Sequence, residues 1–174
     1  SIFILVDGYL FSLNLWYIND KMPLSFENCL LLFSAELEFE KKKNWKMNKL
    51  IIDATREKIF FMIIKKDISH NISHENTKVN FEKIMLLMID FLKLNNIQLN
   101  DISKIYVNRG PGSFAGIRNS ISTIKAINLV NKIDYYCYSF GDFVGEKDIK
   151  YENIPFLCDK FEIKKNLIKP IYIS

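Results

Sequence analysis

Residues 108–118 read NRGPGSFAGIR, and this stretch decides how the chain folds. Six glycines occur in 174 residues, and three of them, Gly110, Gly112 and Gly116, fall between positions 110 and 116. A β-branched and aromatic run, KIYV, leads in, and NSISTIKAINLV follows with helical spacing. The junction therefore reads as a strand turning sharply into a helix. Pro111 fixes its own φ and lacks an amide donor, while its glycine neighbours supply angles closed to other residues. Ser113 stands where an N-cap belongs, its hydroxyl placed to accept an orphan amide. Gly116, in the first turn, lets the helix approach another backbone. Such a helix start can also seat an anion. The stretch is neither a Walker loop, since no Lys-Ser/Thr follows the last glycine, nor a GxGxxG fingerprint. On spacing alone a tight turn outweighs a phosphate cradle.

Working outward, KLIIDA (49–54) reads as a strand and EKIFFMIIKK (57–66) as its hairpin partner across a tight Thr55-Arg56 connection. DISHNISHENT holds a third, edge strand and then a loop. VNFEKIMLLMIDFLKLNN (79–96) reads as a helix with Asn80 as N-cap and Asn95-Asn96 as stop. Its apolar residues run almost all round, beyond the single stripe of a surface helix. A second covered face is expected, most simply under a partner protein, with residues 1–46 or the C-terminal tail as the alternative cover. Residues 103–108 form the next strand. In the helix 113–131, Phe114, Ile117, Ile121, Ile124 and Ile127 make one stripe, and residues 133–138 form a last strand. The order predicts an α/β domain with a mixed five-stranded sheet and two main helices. From Ser139 the periodicity fades, and KPIYIS closes the chain as a short strand.

Hydrophobic residues make up 49% of the chain and mean hydropathy is +0.01, which predicts a soluble globular core. No apolar run approaches the roughly 18 residues of a membrane span. The opening residues lack a positive n-region and a cleavage site. Cys29, Cys137 and Cys158 are far apart and odd in number, which points to a reducing, cytoplasmic compartment, and no CxxC pair holds zinc. The net charge of +4 is scattered and predicts no direct nucleic-acid site. Three segments follow: a poorly periodic N-terminal extension, 1–46; an ordered domain, 47–140; and a short tail, 141–174. MNKLIIDAT, from Met47, reads like a natural beginning, so 1–46 is expected to be foreign to the fold; a lineage-specific arm is the alternative.

RGPGSFAGIR followed by STIKAINL resembles the signature of the TsaB (YeaZ) family, close to RGPGSFTGVR before an alanine-lysine-glycine-leucine helix. LIIDATRE resembles that family's opening strand, NFEKIMLLMIDFLK its first helix, and KPIYIS its usual end. The resemblance implies one actin/Hsp70-like lobe (ASKHA, RNase H-like) and a role in making N6-threonylcarbamoyladenosine in tRNA. It implies a non-catalytic dimerisation subunit that pairs with and activates a TsaD-like catalytic subunit, is joined by a TsaE-like ATPase, and meets tRNA only through the complex. ATP and metal are expected on those partners, with no cofactor here and a homodimer through the same helices when alone. The implied interface comprises Phe81, Ile84, Met85, Met88, Phe91, Leu92, Phe114, Ile117 and Ile121, and Met88→Asp is expected to break pairing with the domain still folded. The signature turn comprises Arg109, Gly110, Pro111, Gly112, Ser113, Gly116 and Arg118. Departures are Asn80 in place of a frequent histidine, Ala126 in place of the helix glycine, and about 35 residues after Ser139, too few for a second lobe.

Asp53 ends the first strand where ASKHA proteins keep a carboxylate near metal and phosphate. With one lobe it is expected to be a vestigial nucleotide site with a structural role. The alternative is a self-sufficient nucleotide-binding enzyme, glycoprotease- or kinase-like, using Asp53 and the glycine turn. His70 and His74 spell HxxxH, but two imidazoles leave a metal short of ligands, and solvated loop histidines are expected. Cys137 is expected to be an inert core thiol. Arg109 and Arg118 are expected to be solvated, with a partner or tRNA contact as the alternative.

Overall fold

The structure is a computed structural model that describes residues 2–6, 9–13, 48–66 and 68–172. The chain divides into two units, Ser1–Glu40 and Lys41–Ser174. In the first, β1 (Ile2–Val6) and β2 (Tyr9–Leu13) form an antiparallel hairpin with Val6 opposite Tyr9. The rest of the segment 1–46, expected to be foreign to the fold, lies outside the described residues.

The second unit is a five-stranded sheet. Its strands are β3 (Asn48–Asp53), β4 (Lys58–Lys65), β5 (Ile68–Glu75), β6 (Ile102–Asn108) and β7 (Asp134–Tyr138), in the spatial order β5-β4-β3-β6-β7. A short connection returns β4 antiparallel to β3, pairing Asp53 with Phe60, and β5 adds antiparallel at the edge. β6 and β7 add parallel to β3, and each requires a helical crossover. The first crossover is α1 (Lys78–Glu82) and α2 (Ile84–Leu94), and the second is α3 (Phe114–Asn131). This is the expected α/β lobe with a mixed five-stranded sheet.

Alternation along the strands builds two cores. Leu50, Ile52, Phe61, Ile63, Ile105 and Val107 face one side and pack beneath α1, α2 and α3. Ile51, Met62, Tyr106 and Tyr138 face the other side, where Phe143, Ile154, Leu157 and Cys158 cover them. These last side chains come from the aperiodic tail, which contains a helix that periodicity missed, α4 (Ile154–Lys160). Seven residues are too few to show an amphipathic period.

Local readings need four corrections. Thr77, not Asn80, caps the first helix: its side chain accepts from the Asn80 amide at 3.2 Å. That helix is interrupted at Lys83 (φ −100°, ψ 12°). The histidines lie on strand β5, not in a loop. The KPIYIS segment forms no strand over its described residues, although the Ile171 amide donates to the Arg109 carbonyl at 2.8 Å. Among the described residues no helix is long and apolar enough to cross a membrane.

Candidate functional site

β3 and β6 end side by side, which brings Asp53 and Asn108 to the same end of the sheet on the same face. Asp53 is 1% exposed. Its Oδ1 accepts from the Thr55 amide at 2.9 Å and the Thr55 hydroxyl at 2.7 Å. Its Oδ2 accepts from Asn108 Nδ2 at 2.9 Å and from the Tyr151 hydroxyl at 2.8 Å. Four donors occupy the four acceptor positions of the carboxylate, so this buried group is satisfied by the protein itself. Burial pushes the Tyr151 phenol up, and the adjacent Asp53 charge adds to this, so the phenol keeps its proton and remains the donor. Beside the knot lies a cleft of about 540 Å³ lined by Asp53, Arg56, Glu57, Lys58, Phe60, Ser73 and Tyr151, with Phe60 stacked on Tyr151 at 4.3 Å between ring centroids.

With its lone pairs committed, Asp53 does not present the open oxygens that a metal–phosphate site needs, so the knot as folded does not fit such a group. Among the described residues no three His, Cys, Asp or Glu side chains converge as a metal site. His70 and His74 are four residues apart on a strand, about 13 Å at the rise of extended backbone, too far to share one ion. His70 is exposed, and His74 meets Phe61 edge-on at 6.0 Å.

The glycine turn is filled by protein backbone. Gly110 has φ +108°, and its amide donates to Asn108 Oδ1 at 3.0 Å. A Cβ at Gly112 would lie 2.2 Å from the Thr55 carbonyl oxygen, and one at Gly116 would lie 1.8 Å from that of Ala54. The Ser113 amide donates to the Thr55 carbonyl at 2.8 Å, and its side chain caps α3 by accepting from the Gly116 amide. The turn thus sutures the start of α3 to the residues that follow β3. Pro111 follows a cis peptide bond within it.

Arg109 is not the solvated charge expected. Its guanidinium pairs with Asp142 and donates to the Lys169 carbonyl, tying turn to tail. Arg118 is exposed. Cys137 is buried and free; burial pushes its thiol up to about 12, although the Arg109 charge opposes this.

Of the nine side chains assigned to an interface, seven belong to the core. Phe81, Ile84, Met88, Phe91, Leu92, Ile117 and Ile121 are buried within the unit, because the stripe that reads as apolar surplus points at the sheet. A partner cannot reach them, and Met88→Asp would bury a charge in place of breaking a contact. Exposed apolar side chains remain on the same helices: Val79 at 54%, Met85 at 37%, Leu86 at 60% and Phe114 at 58%. Phe114 leans on Tyr172 at 4.9 Å between centroids. Leu86 and Val79 were overlooked because periodicity marks which residues repeat, not which side of a repeat faces the sheet. Asn108 was legible as a strand end in phase with Asp53, whereas nothing in its aperiodic surroundings marked Tyr151.

Residues 72–139 match the family model described as TsaD: tRNA N6-adenosine threonylcarbamoyltransferase. The chain is 31% identical over 70 residues to the tRNA threonylcarbamoyladenosine biosynthesis protein TsaB of Buchnera aphidicola subsp. Baizongia pistaciae, over 35% of this chain and 32% of that protein. It is 28% identical over 98 residues to TsaB of Buchnera aphidicola subsp. Schizaphis graminum, over 56% of this chain and 47% of that protein. The chain thus spans between a third and a half of the curated relatives it matches. Among solved structures it is similar to YeaZ from Pseudomonas aeruginosa, with TM-score 0.49 and 17% identity over 53% of this chain and 43% of that one.

Proposed function

This chain belongs to the TsaB/YeaZ family, and we propose that it is a non-catalytic subunit of the machinery that makes N6-threonylcarbamoyladenosine in tRNA. Its role is to pair with a TsaD-type catalytic subunit through the outer side of α1, α2 and the start of α3. The observation that carries this reading is the division of labour on those helices. Their inner side is spent on the sheet, yet Val79, Met85, Leu86 and Phe114 remain exposed on elements that pack against one another. Large apolar side chains left exposed on the helical layer favour a protein partner. The closed state of Asp53 supports the non-catalytic part, because a carboxylate with four donors is already fully engaged. On this proposal cofactor and metal chemistry, the TsaE-type ATPase and the tRNA contact belong to other members of the complex.

Mixing the purified chain with a TsaD-type subunit, followed by gel filtration, tests the pairing. Co-elution at the mass of a one-to-one complex is the expected result. Separate elution at concentrations near 50 μM, well above a micromolar dissociation constant, removes the reading.

A further inference from the structure

The two faces of the sheet are closed by unequal means. The first lies under α2 and the 18-residue α3. The second lies under residues 143–163, whose longest element is the seven-residue α4. A helix that short holds only by its tertiary contacts.

Both ends of this segment are pinned. Before it, Asp142 pairs with Arg109. After it, the Asn166 amide donates to the Tyr135 carbonyl at 2.8 Å, and Asn166 Oδ1 accepts from the Tyr135 amide at 3.0 Å. Between the pins most hydrogen bonds of the segment are local, such as the Ile163 amide to the Cys158 carbonyl, Lys160 Nζ to Glu146 and, at its start, the Phe143 amide to the Phe140 carbonyl. Among the described residues one hydrogen bond joins it to the sheet, from the Tyr151 hydroxyl to Asp53.

Beneath the segment the packing is incomplete in polar terms. The hydroxyls of Tyr106 and Tyr138 are buried with no protein partner among the described residues, and both rings belong to the core that α4 covers. Docking the segment takes two hydroxyls from bulk water without giving either a protein partner, which costs up to about one hydrogen bond at each. Phe143, Ile154 and Leu157 supply the apolar burial that opposes it. Gly145, at φ +88° with no atom near its Cβ position, lies at one end of the segment.

We propose that residues 143–163 form a strap that lifts from the sheet while the sheet and α1–α3 stay folded, with the Tyr151–Asp53 hydrogen bond as its catch. Lifting returns the Tyr106 and Tyr138 hydroxyls to water and uncovers Ile51 and Met62. It also removes the fourth donor from Asp53, freeing one acceptor position of a carboxylate that already lines the cleft with Arg56, Glu57, Lys58 and Ser73. The strap therefore decides whether Asp53 is a closed knot or an accessible acceptor. This holds whether or not the chain pairs with a catalytic subunit.

Native-state hydrogen exchange read by mass spectrometry tests the device on the full chain. Peptides within 143–163 should exchange at least tenfold faster than those of β3 and β6, through an opening that low denaturant does not accelerate. Tyr151→Phe, which removes the catch, should raise strap exchange about tenfold. Tyr138→Phe and Tyr106→Phe, which remove the unpaired hydroxyls, should each lower it by several-fold or more. Cys158, on α4, gives a second readout: its alkylation by iodoacetamide should follow the strap rate and not the rate of global unfolding. Strap and sheet amides exchanging together in the native chain would overturn the proposal. So would faster strap exchange in Tyr138→Phe, which would mean that the hydroxyl has a partner worth keeping.

Discussion

Asp53→Asn separates a structural carboxylate from a catalytic one. The substitution keeps the shape of the side chain and removes the charge. On the Oδ1 side the Thr55 amide and hydroxyl still find an oxygen, now neutral. On the Oδ2 side an amide nitrogen would face Asn108 Nδ2, donor against donor, and Asn108 cannot simply flip because its own Oδ1 accepts from the Gly110 amide. Tyr151 can turn its hydroxyl to accept, but it loses a charged partner. Hydrogen bonds to charged groups contribute about 1.5–3 kcal/mol each and neutral ones about 1, so one bond lost and three weakened amount to about 3–4 kcal/mol. Relief from burying the charge offsets part of this, leaving about 3 kcal/mol, a large share of the stability of a domain this size. Urea unfolding followed by circular dichroism should show the midpoint falling with an unchanged slope, and the melting temperature should drop by roughly 10 °C. A variant within about 0.5 kcal/mol of wild type would refute the structural account of Asp53.

Three further outcomes follow from the same geometry. Gly116→Ala places a methyl 1.8 Å from the Ala54 carbonyl oxygen, a backbone atom that cannot rotate away, and should cost about 3 kcal/mol or more in a urea titration. Leu86→Asp should leave the unfolding midpoint within about 0.5 kcal/mol of wild type and abolish co-elution with a TsaD-type subunit, whereas Met88→Asp, at a fully buried position, should fail to fold by circular dichroism. Stability should also fall between about pH 9 and 12. Burial raises Cys137 and Cys158 to about 12, so the native state holds protons that the unfolded state has released, and stability present below the unfolded thiol pKa is lost as pH rises. Urea midpoints at pH 7.5 and 10 measure this, and equal midpoints would contradict the burial of those thiols.

Much of the sheet and its crossovers was legible because residues 49–138 are punctuated by strong local signals. The glycine turn after KIYV fixed a strand-to-helix junction, and four of the five stripe residues of α3, Ile117, Ile121, Ile124 and Ile127, are buried, whereas Phe114 is exposed. The limits are as physical as the successes. A helix rich in apolar residues on most sides has two readings, and only the position of the sheet showed that Phe81, Ile84, Met88, Phe91 and Leu92 are core while Leu86 is surface. The donors of Asp53 come from positions 55, 108 and 151, and proximity across 98 residues leaves no local trace. α4 escaped because one short helix over a sheet needs only a few apolar residues at no sustained period. The three glycines, which spacing favours as a tight turn over a phosphate cradle, serve close approach of backbone to backbone.

The central claim is that this chain supports tRNA modification by contact and not by chemistry of its own. Nucleoside analysis of bulk tRNA after depletion of the protein tests it most directly. N6-threonylcarbamoyladenosine should fall, recover with the wild-type chain, and stay low with Leu86→Asp, whose fold is intact and whose outer helix surface is altered. An unchanged level after depletion, or full recovery with Leu86→Asp, would contradict the account.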